Sequence, residues 1–299
     1  MITTVPLARR AFLARAGVLG AAVSAGALAH VPAHAASLPR DPVSDVVELL
    51  RPALAEFARD TLNGLSVFVV PGPDAYSKAQ GTPREEAGAI EMRATDFMIE
   101  ALDNFVPFPD RIAQPIAAAV ATGVDDLGIE LPGELGELPL TEVSALDDAL
   151  RRILENDSTV PLSLAIALLL NLLATTVEPR SVTGGLGSPF ARLSFEDKAR
   201  VFERLEESDA DLVETLHAEF PQPWRSSVSG LLRFVAGALL EFPGFGAYSE
   251  QAVLDPESRE LTERPIGWEL TGYKPDTTGP NDGWDDFLGY YEDRTEVSD

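Results

Sequence analysis

The chain has 299 residues, with 23 basic and 48 acidic side chains for a formal net charge of −25, three histidines and no cysteine. Its 45% hydrophobic content suffices for the core of one large domain or two small ones. A sequence without cysteine holds no disulfide framework, thiolate nucleophile, iron–sulfur cluster, zinc ribbon or covalent c-type haem. The acidic excess argues against electrostatic binding to nucleic acid or to an anionic membrane.

The first 36 residues carry three arginines and no acid. Arg9-Arg10-Ala11-Phe12-Leu13 fits the twin-arginine export pattern, in which Arg-Arg, one spacer and Phe-Leu precede an apolar stretch. Gly17 to Ala29 supplies that stretch, and at about 13 residues it is short of the roughly 20 that span a bilayer. Ala33-His34-Ala35 fits an A-x-A cleavage site, so residues 1–35 read as a removable signal peptide. Its removal takes away three arginines, leaving 20 basic against 48 acidic side chains, a net −28, and His217 as the single histidine. Export by this route moves folded proteins, often with a cofactor or partner bound.

The remainder, residues 36–263, reads as helices separated by Pro/Gly loops. Over 43–62, Val43, Val46, Val47, Leu50, Leu54, Phe57 and Ala58 recur at helical spacing. Leu65 to Val70, ended by Pro71-Gly72-Pro73, is either an extended segment or the end of that helix. Helical spacing resumes from Ile90 to Phe105, an alanine-rich helix is expected over 110–127, and Thr141 to Leu154 places Leu146, Leu150, Ile153 and Leu154 on one face. Pro161 to Val177 is the most apolar stretch, and a helix apolar on all sides belongs at the centre of a bundle. Residues 181–189 form a loop. Ser194 and Asp197 then read as a capping box for a helix with Phe195, Ala199, Phe202 and Leu205 inward. Helices at 209–219 and 224–241 follow. From Phe242 the pattern breaks, and residues 264–299 read as an irregular aromatic arm carrying Trp268, Tyr273, Trp284, Phe287, Tyr290 and Tyr291. The expected fold is all-α: an irregular helical bundle with a central apolar helix and a loop-rich C-terminal arm.

Catalytic motifs are sparse. No Gly-x-Ser-x-Gly elbow occurs, and neither Gly184-Gly185-Leu186-Gly187 nor Gly244-Phe245-Gly246 completes a dinucleotide fingerprint. Glu214 and His217 stand three apart, as in one half of a di-iron bundle motif, yet the mature chain has no second histidine to complete it. A surface pair is the plainer reading. Asp125-Asp126, Asp147-Asp148 and Glu206-Glu207 read as solvated helix faces rather than glycosidase-type pairs.

A set of short segments nevertheless forms a recognisable order. The export signal is followed by a helix leading into Val69-Val70-Pro71, then Ala87-Gly88-Ala89-Ile90 opening a second helix, and much later Arg264-Pro265-Ile266-Gly267-Trp268-Glu269. This order resembles subunit 3 of the gluconate 2-dehydrogenase family, over roughly residues 44–105 and 193–273. The apolar helix at 161–177 and the Trp/Tyr tail depart from the family pattern. The resemblance implies a non-catalytic accessory subunit with no cofactor of its own. Its partner would be a glucose–methanol–choline type flavoprotein dehydrogenase or oxidase that carries FAD and is escorted or positioned by this chain. Trp268, Tyr273, Trp284, Tyr290 and Tyr291 are the candidate contact residues, because aromatic side chains give large contact area at low entropic cost. The alternatives are an exported enzyme with a carboxylate-based hydrolytic site and a free-standing envelope binding protein.

Overall fold

The structure, a computed structural model, describes residues 42–106, 111–117, 160–207, 213–214, 216–217, 220, 224–255 and 257–273. The expected export motif Arg9, Arg10, Phe12 and Leu13, the expected cleavage residues Ala33 and Ala35, the expected helix at 141–154, and Trp284, Tyr290 and Tyr291 lie outside these residues. What is described is all-α. An isolated antiparallel bridge between Leu254 and Leu261 is the nearest approach to a sheet among the described residues.

The first helix, α1, runs Pro42–Val69. Leu65 to Val69 is therefore its last turn and not an extended segment, because Leu65 and Val67 are fully buried and the turn is held by packing. A short α2, Ala75–Gln80, is capped by Asp74, whose carboxylate accepts from Ser77 N at 2.9 Å and from Ser77 Oγ at 2.6 Å. Then comes α3, Ala94–Glu100, continued by one π-helical turn at Ala101–Phe105. Residues 111–117 are also helical, with Ala113, Ile116 and Ala117 buried.

The apolar stretch forms α4, Leu162–Val177, with every residue from Leu162 to Thr175 buried. It lies at the centre of the bundle against α1, as expected of a helix apolar on all sides. Its N-terminus is satisfied from another element: Asp103 Oδ1 accepts from Ser163 N and Oδ2 from Ser163 Oγ, both at 2.8 Å. A 3₁₀ turn at Pro179–Val182 and a loop lead to the one-turn helix α5, Pro189–Arg192. The next helix, α6, is Phe195–Glu207, and the Ser194/Asp197 capping box forms, with Asp197 N donating to Ser194 Oγ at 3.1 Å. Its inward face differs from the expected one. Phe195 is 45% exposed and Lys198 is fully buried, together with Val201, Phe202 and Leu205.

The long helix α7, Val228–Tyr248, follows a 3₁₀ turn at Trp224–Ser227. The expected break at Phe242 does not occur, nor is Gly244-Phe245-Gly246 a turn after the helix: α7 continues through Pro243 for a further turn. Phe97 of α3 packs against the rings of Phe242 and Phe245, at 6.4 and 5.5 Å between centroids, and holds that last turn in place. Within the arm, Ile266–Thr271 is a helix, α8, packed on the end of α7 rather than irregular chain. It stops at Gly272, which is left-handed with φ 70°.

Candidate functional site

Three segments distant in sequence meet beside the end of α1. Val70, Ala89, Met92, Ala94 and Ala247 form a small apolar core of their own, with Val69, Ala87 and Ile266 packed against it. Ala89 N donates to Val70 O at 2.9 Å, fastening the two loops together. The approach is close enough to require glycine on both sides. A Cβ on Gly72 would sit 2.6 Å from Gly88 N, and one on Gly88 would sit 2.5 Å from Gly72 N. Gly88 N in turn donates to Glu91 Oε2 at 2.9 Å, and Gly72 N to Ser77 Oγ at 2.9 Å.

The C-terminal segment completes this junction. A Cβ on Gly267 would run into the carbonyl oxygen of Ala247, so glycine lets α8 lie directly on the α7 backbone. Trp268 is 9% exposed and meets Tyr273 edge-on at 5.2 Å, while Tyr273 itself is 46% exposed. Of the candidate contact aromatics, Trp268 is thus used inside the chain and Tyr273 faces outward. Arg93, left-handed at φ 59°, bridges Asp96 at 3.2 Å and Glu263 at 3.4 Å, and Arg59 pairs with Asp96 at 2.6 Å. These ion pairs are exposed, and such pairs add little stability.

On another side of α1 lies a buried polar network. Lys198 Nζ donates to Gly64 O at 2.9 Å and to Gln80 Oε1 at 2.8 Å. Gln80 Nε2 donates onward to Val67 O and Thr82 Oγ1, at 2.8 and 2.7 Å. Burial pulls the Lys198 amine down to about 7, against the opposing pull of Asp74 and Asp60. A neutral amine has two N–H groups, and both have acceptors here. The Phe190 ring, 5.6 Å from Nζ, favours the cation instead, but one ring face is a weaker influence than complete burial. Nearby, Tyr76 donates its hydroxyl to Asp60 Oδ1 at 2.8 Å and accepts from Asn63 Nδ2 at 3.2 Å. Burial, aided by the Asp60 charge, pushes its phenol up to about 12. Arg192 reaches Leu186 O and Ser181 O, at 2.7 and 2.8 Å, and so anchors the 181–188 loop over this network.

The third feature is apolar. A groove of about 770 Å³ runs between α3 with its π turn, the 111–117 helix and α7. Leu231, Phe234, Val235, Ala238, Phe242 and Phe245 supply one wall. These residues form a second apolar stripe on α7, separate from the buried one at Val228, Leu232, Ala236, Leu239 and Pro243. Phe105, Phe234 and Phe245 are 63%, 72% and 56% exposed. By length and composition alone α7 is apolar enough to cross a membrane, and 28% of its most apolar window is buried.

Glu214 and His217 are both exposed on the surface. No group of three or more His, Asp or Glu residues that could hold a metal ion occurs among the described residues. Sequence reasoning missed Lys198, which a charged side chain at an inward helical position could have flagged, and the second stripe on α7, which helical spacing past Phe242 could have shown. Compared with protein-family models, with curated proteins and with solved structures, the chain finds no match.

Proposed function

We propose that this chain is an exported accessory subunit without a catalytic centre of its own, which escorts or positions a glucose–methanol–choline type flavoprotein oxidoreductase. The observation that carries the reading is the convergence at the end of α1. The segments through which the sequence resembles gluconate 2-dehydrogenase subunit 3, namely 69–71, 87–90 and 264–269, are far apart in the chain. They pack into one junction around Val70, Ala89 and Ile266. Chance matches scattered along a sequence have no reason to meet in space, whereas parts of one inherited structural unit do. FAD belongs to the partner in this reading. The twin-arginine motif supports it, since that route carries folded complexes and one signal serves both chains. A net charge of −28 on the exported chain disfavours direct attachment to anionic lipid.

The test is expression of the full chain together with the neighbouring reading frames in a host with twin-arginine export. The expected result is a stoichiometric complex with a flavin-bearing polypeptide in the exported fraction. Replacing Arg9 and Arg10 by lysine should strand both chains in the cytoplasm. An exported monomer with no flavoprotein attached overturns the proposal.

A further inference from the structure

One face of α7 is turned outward beside the groove. Arg233, Phe234, Glu241, Phe245 and Tyr248 are exposed along it. Gly237 lies at the middle of this face, and a Cβ there would meet nothing within 4 Å. In its 21 residues α7 carries two charges, Arg233 and Glu241, and the same two are the charged groups among the described residues that line the groove. Each stands four residues from Gly237, on opposite sides of it. That is about 6 Å along the axis and about 40° around it, so all three share one face. At eight residues apart they cannot pair within one helix, where partners stand three or four apart. Glu241 makes no hydrogen bond or ion pair among the described residues. Arg233 donates Nε to Glu206 O at 2.9 Å and has no carboxylate partner among the described residues.

A second copy of the chain satisfies both charges at once. When two α7 helices run antiparallel about a twofold axis at Gly237, Arg233 of each copy stands level with Glu241 of the other. A parallel pair would set like charges against each other instead. The antiparallel operation also carries the exposed Phe234 of each copy to the height of Leu240 on the other, beside the groove residues Ala238 and Phe242. The end of α6 brings two exposed acids to the Arg233 edge, Glu206 and Glu207, so without Arg233 that edge would repel Glu241 of another copy. The net −25 of each chain is screened over about 8–10 Å at moderate salt, which slows approach without cancelling contacts made at the interface. We infer that the chain forms a twofold-symmetric antiparallel dimer through the outward face of α7. Two Arg233–Glu241 pairs cross it, and each Phe234 ring rests against the groove of the other copy. A lipid surface would accommodate the rings but would leave the mirrored placement of the two opposite charges unused. This inference goes beyond the accessory-subunit reading and does not depend on it, since it is measured on the full chain produced alone.

Charge exchange gives the test its direction. By sedimentation equilibrium at moderate salt the full chain should be dimeric, and Arg233→Glu and Glu241→Arg should each weaken self-association roughly tenfold or more. Mixing the two variants pairs opposite charges at both contacts, so the mixture should recover the dimer, which also shows that both variants are folded. The absence of cysteine allows a second measurement. Gly237→Cys places a thiol on the axis, and mild oxidation should link two copies through it. Gly230→Cys, whose Cβ is equally open, lies about 21 Å from its counterpart in an antiparallel pair and should link only when mixed with Gly244→Cys, which faces it. A dimer indifferent to both charge changes, or equal self-linking at Gly230 and Gly237, overturns the inference. A monomer that binds the apolar dye ANS strongly overturns it in favour of a face open to another protein or to lipid. A monomer that binds little dye overturns it in favour of cover by another part of the chain.

Discussion

Asn171 and Thr61 meet at the centre of the bundle, the Asn171 amide donating to the Thr61 hydroxyl at 2.8 Å with both side chains fully buried. Asn171 also donates to Ala167 O at 2.7 Å and accepts from Phe190 N at 2.8 Å. One polar residue in the most apolar helix thus joins α1, α4 and α5 and supplies the partner for an α5 backbone N–H. Replacement by leucine keeps the volume and orphans that N–H, so Asn171→Leu should lose about 2–4 kcal/mol, the cost of breaking a buried network. Urea unfolding of the two proteins measures it.

Lys198 makes stability depend on pH in a defined direction. Its amine lies at about 7 when folded, and its ordinary value is 10.5. Between those values the unfolded chain binds a proton that the folded chain does not, so stability rises with pH across the window. Below about 7 both states are protonated and the full burial cost of the charge remains. Relative to Lys198→Met, the natural chain should gain about 2–3 kcal/mol between pH 7.5 and 9.5, at roughly 1.4 kcal/mol per unit of pH. Paired denaturant titrations at those two pH values test it, and a difference independent of pH would show that the amine stays charged when buried.

Tyr76 should titrate apart from the exposed tyrosines. Burial and the neighbouring Asp60 push its phenol to about 12, so ultraviolet absorbance should show one late phenolate step. Asp60→Asn removes the charge that opposes ionisation and should move that step downward, while Tyr76→Phe should abolish it.

The Gly72–Gly88 contact leaves no room for a methyl group. Gly88→Ala should cost about 1–3 kcal/mol, the usual penalty of overpacking, because the neighbour to be displaced is backbone. Gly185→Ala is the control, since a Cβ there meets nothing within 4 Å. Thermal unfolding should separate the two variants clearly.

Local signals were enough for much of the fold. Periodic apolar positions marked α1 and α6, because amphipathic spacing follows from 3.6 residues per turn whatever the neighbours are, and an unbroken apolar run marked α4. The Ser194/Asp197 capping box was legible for the same reason: both partners lie within one turn. The far end of α7 was not, since Pro243 and three flanking or nearby glycines predict a stop by propensity. The rings of Phe97, Phe242 and Phe245, together with the packing of Ala247 against Val70, Ala89 and α8, outweigh that preference.

The sequence by itself determined the helical class, the central place of Leu162–Val177 and the acidic, cysteine-free chemistry, all of which depend on composition and on contacts within a few residues. Tertiary structure alone decided that Val70, Ala89 and Ile266 share one small core, that Lys198 is buried between Gly64 and Gln80, and that a groove opens between α3, the 111–117 helix and α7. These are relationships between residues more than 15 positions apart. They arise from how helices settle against one another, and no local pattern of charge or hydropathy encodes that settlement.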